Sequence, residues 1–283
     1  MGMHIMHTNS TISKTIGPQA ARLIMRLHER SHPIFRLEEV QKITGLSPAS
    51  ARSFVRFLVH RGVATRLTPG LFILVPFELG RERQYLGNPL VVAREIMNGT
   101  PYYLSHGTAM EIHGMATQPQ FLVTISTPKL RRPVNVLGVP FRFVRCERRH
   151  FFGIAEHWVT KQERVRVSDP ERTIIDGLRQ PAYCGGLTEV AKGLRMRSQQ
   201  DLRVDKLVAY ARRIRTGAVV RRLGFLLETY DMATGPELDR LRRELTETYV
   251  RLDPVLPSGG KHLRRWRLQL NVDSQELLAV AGT

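Results

Sequence analysis

Between residues 18 and 75 the apolar positions repeat first at helical and then at strand spacing. Ala21, Leu23, Ile24, Leu27 and His28 fall three and four apart, Pro18 suits a first helical turn, and Ser31-His32-Pro33 ends the pattern. Phe35-Arg36-Leu37 announces a second short helix that runs through Glu38, Glu39, Val40 and Ile43 and stops at Gly45. Ser47-Pro48 is an N-cap followed by proline at the first helical position, where the leading N–H groups have no partner within the helix. The helix that it opens carries an inward stripe of Ala51, Phe54, Val55, Leu58 and Val59 and extends to about Arg61, where Gly62 stops it. Ser50, Arg52, Ser53, Arg56 and His60 are left outside, a small, polar and cationic face. Val63–Leu67 and Leu71–Val75 are short β-prone runs around Thr68-Pro69-Gly70, which is a hairpin signal.

Helix, helix, tight turn, helix and a two-stranded ribbon, in that order, are the elements of a winged helix-turn-helix. In that arrangement the helix after the turn enters the major groove by its N-terminal part, and the hairpin reaches a flanking groove or the backbone. The residue types suit the task. Ser47 and Ser50 reach phosphates or base edges, with Ser53 beside them on the outward face; Arg52 and Arg56 supply phosphate contacts or bidentate guanine readout, and Arg66 and Thr68 stand where a wing meets the backbone. The plain alternative is the solvated face of a surface helix, or a winged helix used for protein contacts.

Beyond a polar stretch from Glu78 to Asn88 the pattern changes. Pro89–Met97 is a further element, and Tyr102–Met115 is an apolar entry into a short helix ending at Gly114. Phe121–Ser126 and Leu137–Val144 read as strands, the second running on through Phe141-Arg-Phe-Val-Arg145 with its arginines on the outer side, and Trp158 and Val165-Arg-Val167 imply more strand. Ser168-Asp-Pro-Glu opens a helix whose acids sit where the helix dipole favours them. Residues 186–250 read as about three helices, and His262–Val272 as one strand with Trp266, Leu268 and Leu270 on one face. The expected organisation is an arm over 1–17, a winged helix over 18–80 and a larger mixed α+β domain over 81–283, an α+β fold overall.

The 283 residues suffice for two domains at about 150 residues each, and a 42% apolar share argues for folded chain throughout. Against this stands a net charge of +18, from 43 basic and 25 acidic residues. Residues 1–80, 81–180 and 181–283 each hold +6, so a lone basic tail is excluded. Charge on this scale suits a polyanion or an acidic partner, the plain alternative being a protein that is simply basic throughout. Because the winged helix holds only a third of it, the second domain is expected to touch DNA backbone or a partner, through Arg131, Arg132, Arg145, Arg212, Arg213 and Arg215. Arg221-Arg222 and Arg242-Arg243 are further basic clusters.

Cys146 and Cys184 stand far apart with no second thiol or imidazole at metal spacing, and are expected to be buried free thiols. His106 and His113, two helical turns apart, lack a third ligand and are better read as core or capping residues. Asp169, Glu171 and Asp176 form a conceivable carboxylate set, but capping explains the first two at less cost. No secretory leader and no apolar run of membrane length is legible, so a cytoplasmic protein with no membrane association is expected. No cofactor or metal is expected.

Several stretches, taken in order, resemble the AbiEi-type antitoxins of type IV toxin–antitoxin systems. They are Arg66-Leu-Thr-Pro-Gly-Leu-Phe72, Leu104-Ser-His-Gly-Thr-Ala-Met-Glu-Ile-His-Gly114, Ser168-Asp-Pro-Glu-Arg-Thr-Ile-Ile-Asp176, Arg222-Leu-Gly-Phe-Leu-Leu-Glu228 and Leu252-Asp-Pro with Trp266-Arg-Leu and Asn271. The resemblance spans about residues 18–275. It implies a transcriptional autorepressor whose winged helix binds inverted repeats in double-stranded DNA, two copies per operator. It also implies that the second domain assists DNA binding and counteracts a nucleotidyltransferase-type toxin encoded next door. The long polar stretch Met1–Gly17 departs from many such proteins. The rival classes are a metal-dependent nuclease built on scattered acids such as Glu228, Asp231 and Asp253, and a plain repressor without a toxin partner. No phosphate-binding loop, nucleotidyltransferase signature, His-Glu-x-x-His or Gly-x-Ser-x-Gly is present.

Overall fold

A proline at the first position and a buried ridge of Ala20, Leu23, Ile24 and Leu27 make Pro18–Glu29 the first helix, α1. His28, placed in that ridge by spacing, is exposed instead, and Ala20 completes the ridge one turn before Leu23 and Ile24. The computed structural model describes residues 16–273 and Leu277, so the expected arm over 1–17 lies almost wholly outside the described residues. Ile34–Arg36 is a strand, β1, and not the lead-in to a helix, because Phe35 pairs across the sheet with Phe72 and stacks on its ring at 5.7 Å. Helix α2 (Leu37–Thr44) ends at Gly45, whose φ of +75° carries the chain through the tight turn in a conformation that a side chain disfavours. The third helix, α3 (Pro48–His60), opens at Ser47, whose hydroxyl accepts the Ser50 N–H at 3.3 Å. Strands β2 (Ala64–Thr68) and β3 (Leu71–Leu74) form the hairpin, with a bulge between Arg66 and Thr68. The three strands pair in the order β1-β3-β2 and close a core with α1, α2 and α3 that includes Leu23, Leu27, Phe35, Val40, Val55 and Leu58. This unit is a winged helix.

The first compact unit reaches Asn98 and takes in Val136–Gly138, beyond the boundary expected near residue 80. The polar stretch after the hairpin folds back along it. Arg83 donates to the His60 carbonyl, and the Tyr85 N–H donates to the Thr65 hydroxyl at 3.0 Å. Helix α4 (Pro89–Met97), capped by Asn88, belongs to this unit as well, with the Glu95 carbonyl accepting from Arg36.

The second unit opens with β4 (Tyr103–Leu104), α5 (His106–Ile112), β5 (Val123–Thr127), β6 (Val134–Val136, whose last residue counts with the first unit) and β7 (Val139–Arg145). Then come β8 (Ile154–Trp158), β9 (Arg164–Ser168) and the helices α6 (Pro170–Arg179), α7 (Leu187–Ser198), α8 (Val204–Ile214), α9 (Gly217–Thr229) and α10 (Gly235–Arg242). The sheet order is β6-β7-β5-β4-β9-β8, mixed as expected: β5 and β7 run parallel, and so do β4 and β9, while β4–β5 and β8–β9 are antiparallel. Residues 186–250 hold four helices where about three were expected; Arg215, at a left-handed φ of 51°, ends α8 before Thr216 opens α9.

The chain closes with β10 (Val250–Arg251), β11 (Lys261–Leu263) and β12 (Leu268–Leu270). His262–Val272 is therefore a hairpin and not one strand: Arg264–Arg267 form the turn, and Arg267 takes a positive φ of 52°. Trp266 is nevertheless fully buried, because the turn delivers its ring against Gly224 of α9, where any side chain would overlap the indole. Its N–H donates to the Glu228 carboxylate at 2.6 Å. The helical core around it includes Ile174, Leu178, Leu194, Leu207 and Leu223.

Candidate nucleic-acid interface

On α3, Ala51, Val55 and Leu58 are buried and Phe54 and Val59 half-buried, which leaves Ser50, Arg52, Ser53, Arg56 and His60 in solvent. Arg52 and Arg56, one turn apart, share one edge of the helix, and Arg66 reaches out from β2 of the hairpin. All three are exposed and lack a side-chain partner among the described residues. Together they border a groove of about 450 Å³ between α3 and the hairpin. A guanidinium with no protein partner keeps its donors for an incoming anion, and three on one surface form a local cationic field.

The serines are differently placed. Ser47 donates its hydroxyl to that of Ser50 at 3.0 Å while capping α3, so both are held as a pair at the helix start. Ser53 is exposed, whereas Thr68 is half-buried at the hairpin bulge. Phe57, which the sequence pattern left unassigned, is 43% exposed on α3, with the Arg61 guanidinium 5.3 Å from its ring centre. Its spacing from Ser50 and Ser53 was the available signal.

The arginines of the second unit divide. Arg132, Arg145 and Arg215 are exposed. Arg131 and Arg213 lie over the Phe143 and Phe152 rings at 5.4 and 4.0 Å, and Arg212 pairs with Glu244 at 2.8 Å. Arg221 and Arg222, one of the basic clusters, are buried. The Arg222 guanidinium donates to the carbonyls of Leu252, Leu178 and Arg251, and burial brings its pKa down to about 10. Arg221 donates to the Thr246 and Thr248 carbonyls. These two cations hold loops together, because carbonyls at loop ends need donors that the backbone does not supply.

Of the acids named for other chemistries Asp231 is exposed, and the rest have partners. Asp169 caps α6 by accepting the Arg172 N–H at 2.7 Å, and Glu171 accepts from the Lys206 ammonium at 2.8 Å and the Arg203 N–H at 3.0 Å. Asp176 is buried against Arg172 at 2.9 Å and accepts from the Tyr103 hydroxyl at 3.1 Å. Glu228 is held by Trp266, Arg242 and Arg265, while Asp253 accepts the N–H groups of Leu187 and Val255. His113 donates from Nε2 to the Ser168 carbonyl at 2.6 Å, and His106 is buried with Nδ1 on the Ser105 hydroxyl at 2.9 Å. Burial lowers the pKa of both. Among the described residues no group of three His, Cys, Asp or Glu side chains is placed to hold a metal ion. Both cysteines are buried free thiols. Among the same residues no helix is long and apolar enough to cross a membrane.

The fold is that of a winged helix followed by a mixed α+β unit. Two models of one family match it: transcriptional regulator, AbiEi antitoxin, over residues 22–75, and AbiEi antitoxin C-terminal domain over residues 103–229. They cover the two units in turn, and the chain belongs to the AbiEi antitoxin family of transcriptional regulators. The crystal structure of RV2827C protein from Mycobacterium tuberculosis has the same fold, with a TM-score of 0.67 at 15% identity over 95% of this chain and 96% of that one. Among curated proteins none matches.

Proposed function

We propose that this antitoxin-type regulator binds double-stranded DNA upstream of its own operon as an autorepressor. In this reading α3 lies in the major groove and the β2–β3 hairpin on the flanking backbone. The observation that carries it is the set of exposed, unpartnered guanidiniums of Arg52, Arg56 and Arg66 on one surface of a winged helix. Two copies bind inverted repeats, because one helix reads one half-site. The paired hydroxyls of Ser47 and Ser50, with Ser53 and Thr68, contact phosphates, and Arg132, Arg145 and Arg215 of the second unit add backbone contacts. The protein acts stoichiometrically in the cytoplasm and counteracts a nucleotidyltransferase-type toxin encoded beside it.

Fluorescence anisotropy with labelled upstream DNA tests the first part. Arg56→Ala should weaken binding and Arg240→Ala, at an exposed position of α10, should not; equal affinity of Arg56→Ala and the parent protein refutes it. Co-expression with the neighbouring gene product tests the second part. Relief of growth arrest supports an antitoxin, and continued arrest reduces the reading to a plain repressor.

A further inference from the structure

The groove between α3 and the β2–β3 hairpin holds more than cations. Its rim carries Arg52, Arg56 and Arg66, but its floor is the apolar surface of Leu37, Val59 and Phe72. A duplex brings phosphates and base edges to such a surface; these satisfy the guanidiniums, while only thymine methyls and sugar faces of a duplex would meet the apolar floor. A concave apolar site of about 450 Å³ with a few convergent polar groups instead has the size and make-up of a small-molecule pocket. The charge complementarity is one-sided, since Arg52, Arg56, Arg66 and His60 border the groove and no carboxylate does.

We propose that this groove binds a small amphipathic anion, an apolar ring or branched body bearing one carboxylate, sulfonate or phosphate group. The body rests on Leu37, Val59 and Phe72, and the anionic group is held by the three guanidiniums. Its consequence for regulation rests on the proposed DNA-binding role. The ligand neutralises the cations that face DNA, so ligand and operator exclude one another, and by linkage each weakens the other equally.

The probe is 8-anilinonaphthalene-1-sulfonate, titrated by fluorescence into the full-length protein. One saturable site is expected. Its affinity should fall by at least about tenfold in Arg52→Ala and in Arg66→Ala, each change removing one charge-assisted contact. Arg240→Ala, an exposed arginine of α10, should leave it unchanged. The neutral analogue N-phenyl-1-naphthylamine should bind at least about tenfold more weakly than the sulfonate. Equal dye affinity in all three variants, or equal binding of the neutral analogue, overturns the proposal. Tighter occupancy of the groove by a glutamate- and leucine-rich peptide than by the sulfonate also overturns it, in favour of a protein partner. Addition of upstream duplex should release the dye. Arginine-dependent dye binding without release leaves the groove assignment standing and refutes the DNA-facing role of α3. DNA binding that needs Arg56, alongside dye binding that does not, refutes the groove alone.

Discussion

In the proposed DNA-binding role each of Arg52, Arg56 and Arg66 meets either a phosphate or a base edge, and salt dependence separates the two. Three guanidiniums on phosphates give a slope of log K against log salt of about −2.7 per chain, at about 0.9 per neutralised phosphate. Between 50 and 200 mM salt that is a loss of about fortyfold per chain bound, before the second unit adds its share. An arginine on a phosphate, changed to alanine, flattens the slope by about 0.9 per chain and weakens all sequences alike. An arginine reading guanine instead costs about 1–3 kcal/mol on the specific site alone and leaves most of the slope in place. From its place on the hairpin Arg66 is expected to behave in the first way, and Arg56 on α3 in the second. The assay is anisotropy at four salt concentrations with operator and scrambled duplexes, for the parent protein and the three variants. Identical slopes and affinities for all four proteins refute the reasoning. A flat salt dependence of the parent refutes the electrostatic footing altogether.

Three further outcomes concern the second unit and its stability. Asp176→Ala leaves the buried Arg172 without its partner and should destabilise the fold by about 3–5 kcal/mol in urea melts. Replacing the pair together, Arg172→Met with Asp176→Leu, should restore much of that loss, and equal damage from both changes contradicts the account. Gly224→Ala forces a methyl into the Trp266 indole and should cost about 1–3 kcal/mol, with altered tryptophan fluorescence; an unchanged melt would show that the ring moves freely. Because burial lowers the folded-state pKa of His106 and His113, the unfolded chain takes up protons first as pH falls below the ordinary histidine value of about 6.5. Stability is therefore full above that value and declines below it. His106→Gln should shallow the decline, and an unaltered pH profile argues against a neutral buried imidazole.

Much of the candidate site was legible because a single helix face is a local property. The Ser47-Pro48 start, the inward stripe through Val55 and the outward Arg52 and Arg56 all follow from 3.6-residue spacing and capping chemistry. Phe57 escaped notice because it is an apolar residue on the outward face, in register with Ser50 and Ser53, and only packing decides that it stays uncovered. Ile34–Arg36 escaped for a different reason: three residues carry too little period to be told from a helix lead-in, and their strand state depends on Phe72, far along the chain.

The sequence by itself determined the three helices and the hairpin of the winged helix and the total charge of +18, since these are set by neighbouring residues and simple counting. Tertiary structure alone decided which charges are available. Arg172, Arg221 and Arg222 are buried against a carboxylate or loop carbonyls, while Arg52, Arg56 and Arg66 stand in water with no partner among the described residues. It likewise placed Trp266 in the core from within a turn and drew α4 into the first unit. The physical reason is the same in each case: the fate of a side chain depends on desolvation and on partners remote in sequence, and those exist only once the chain has folded.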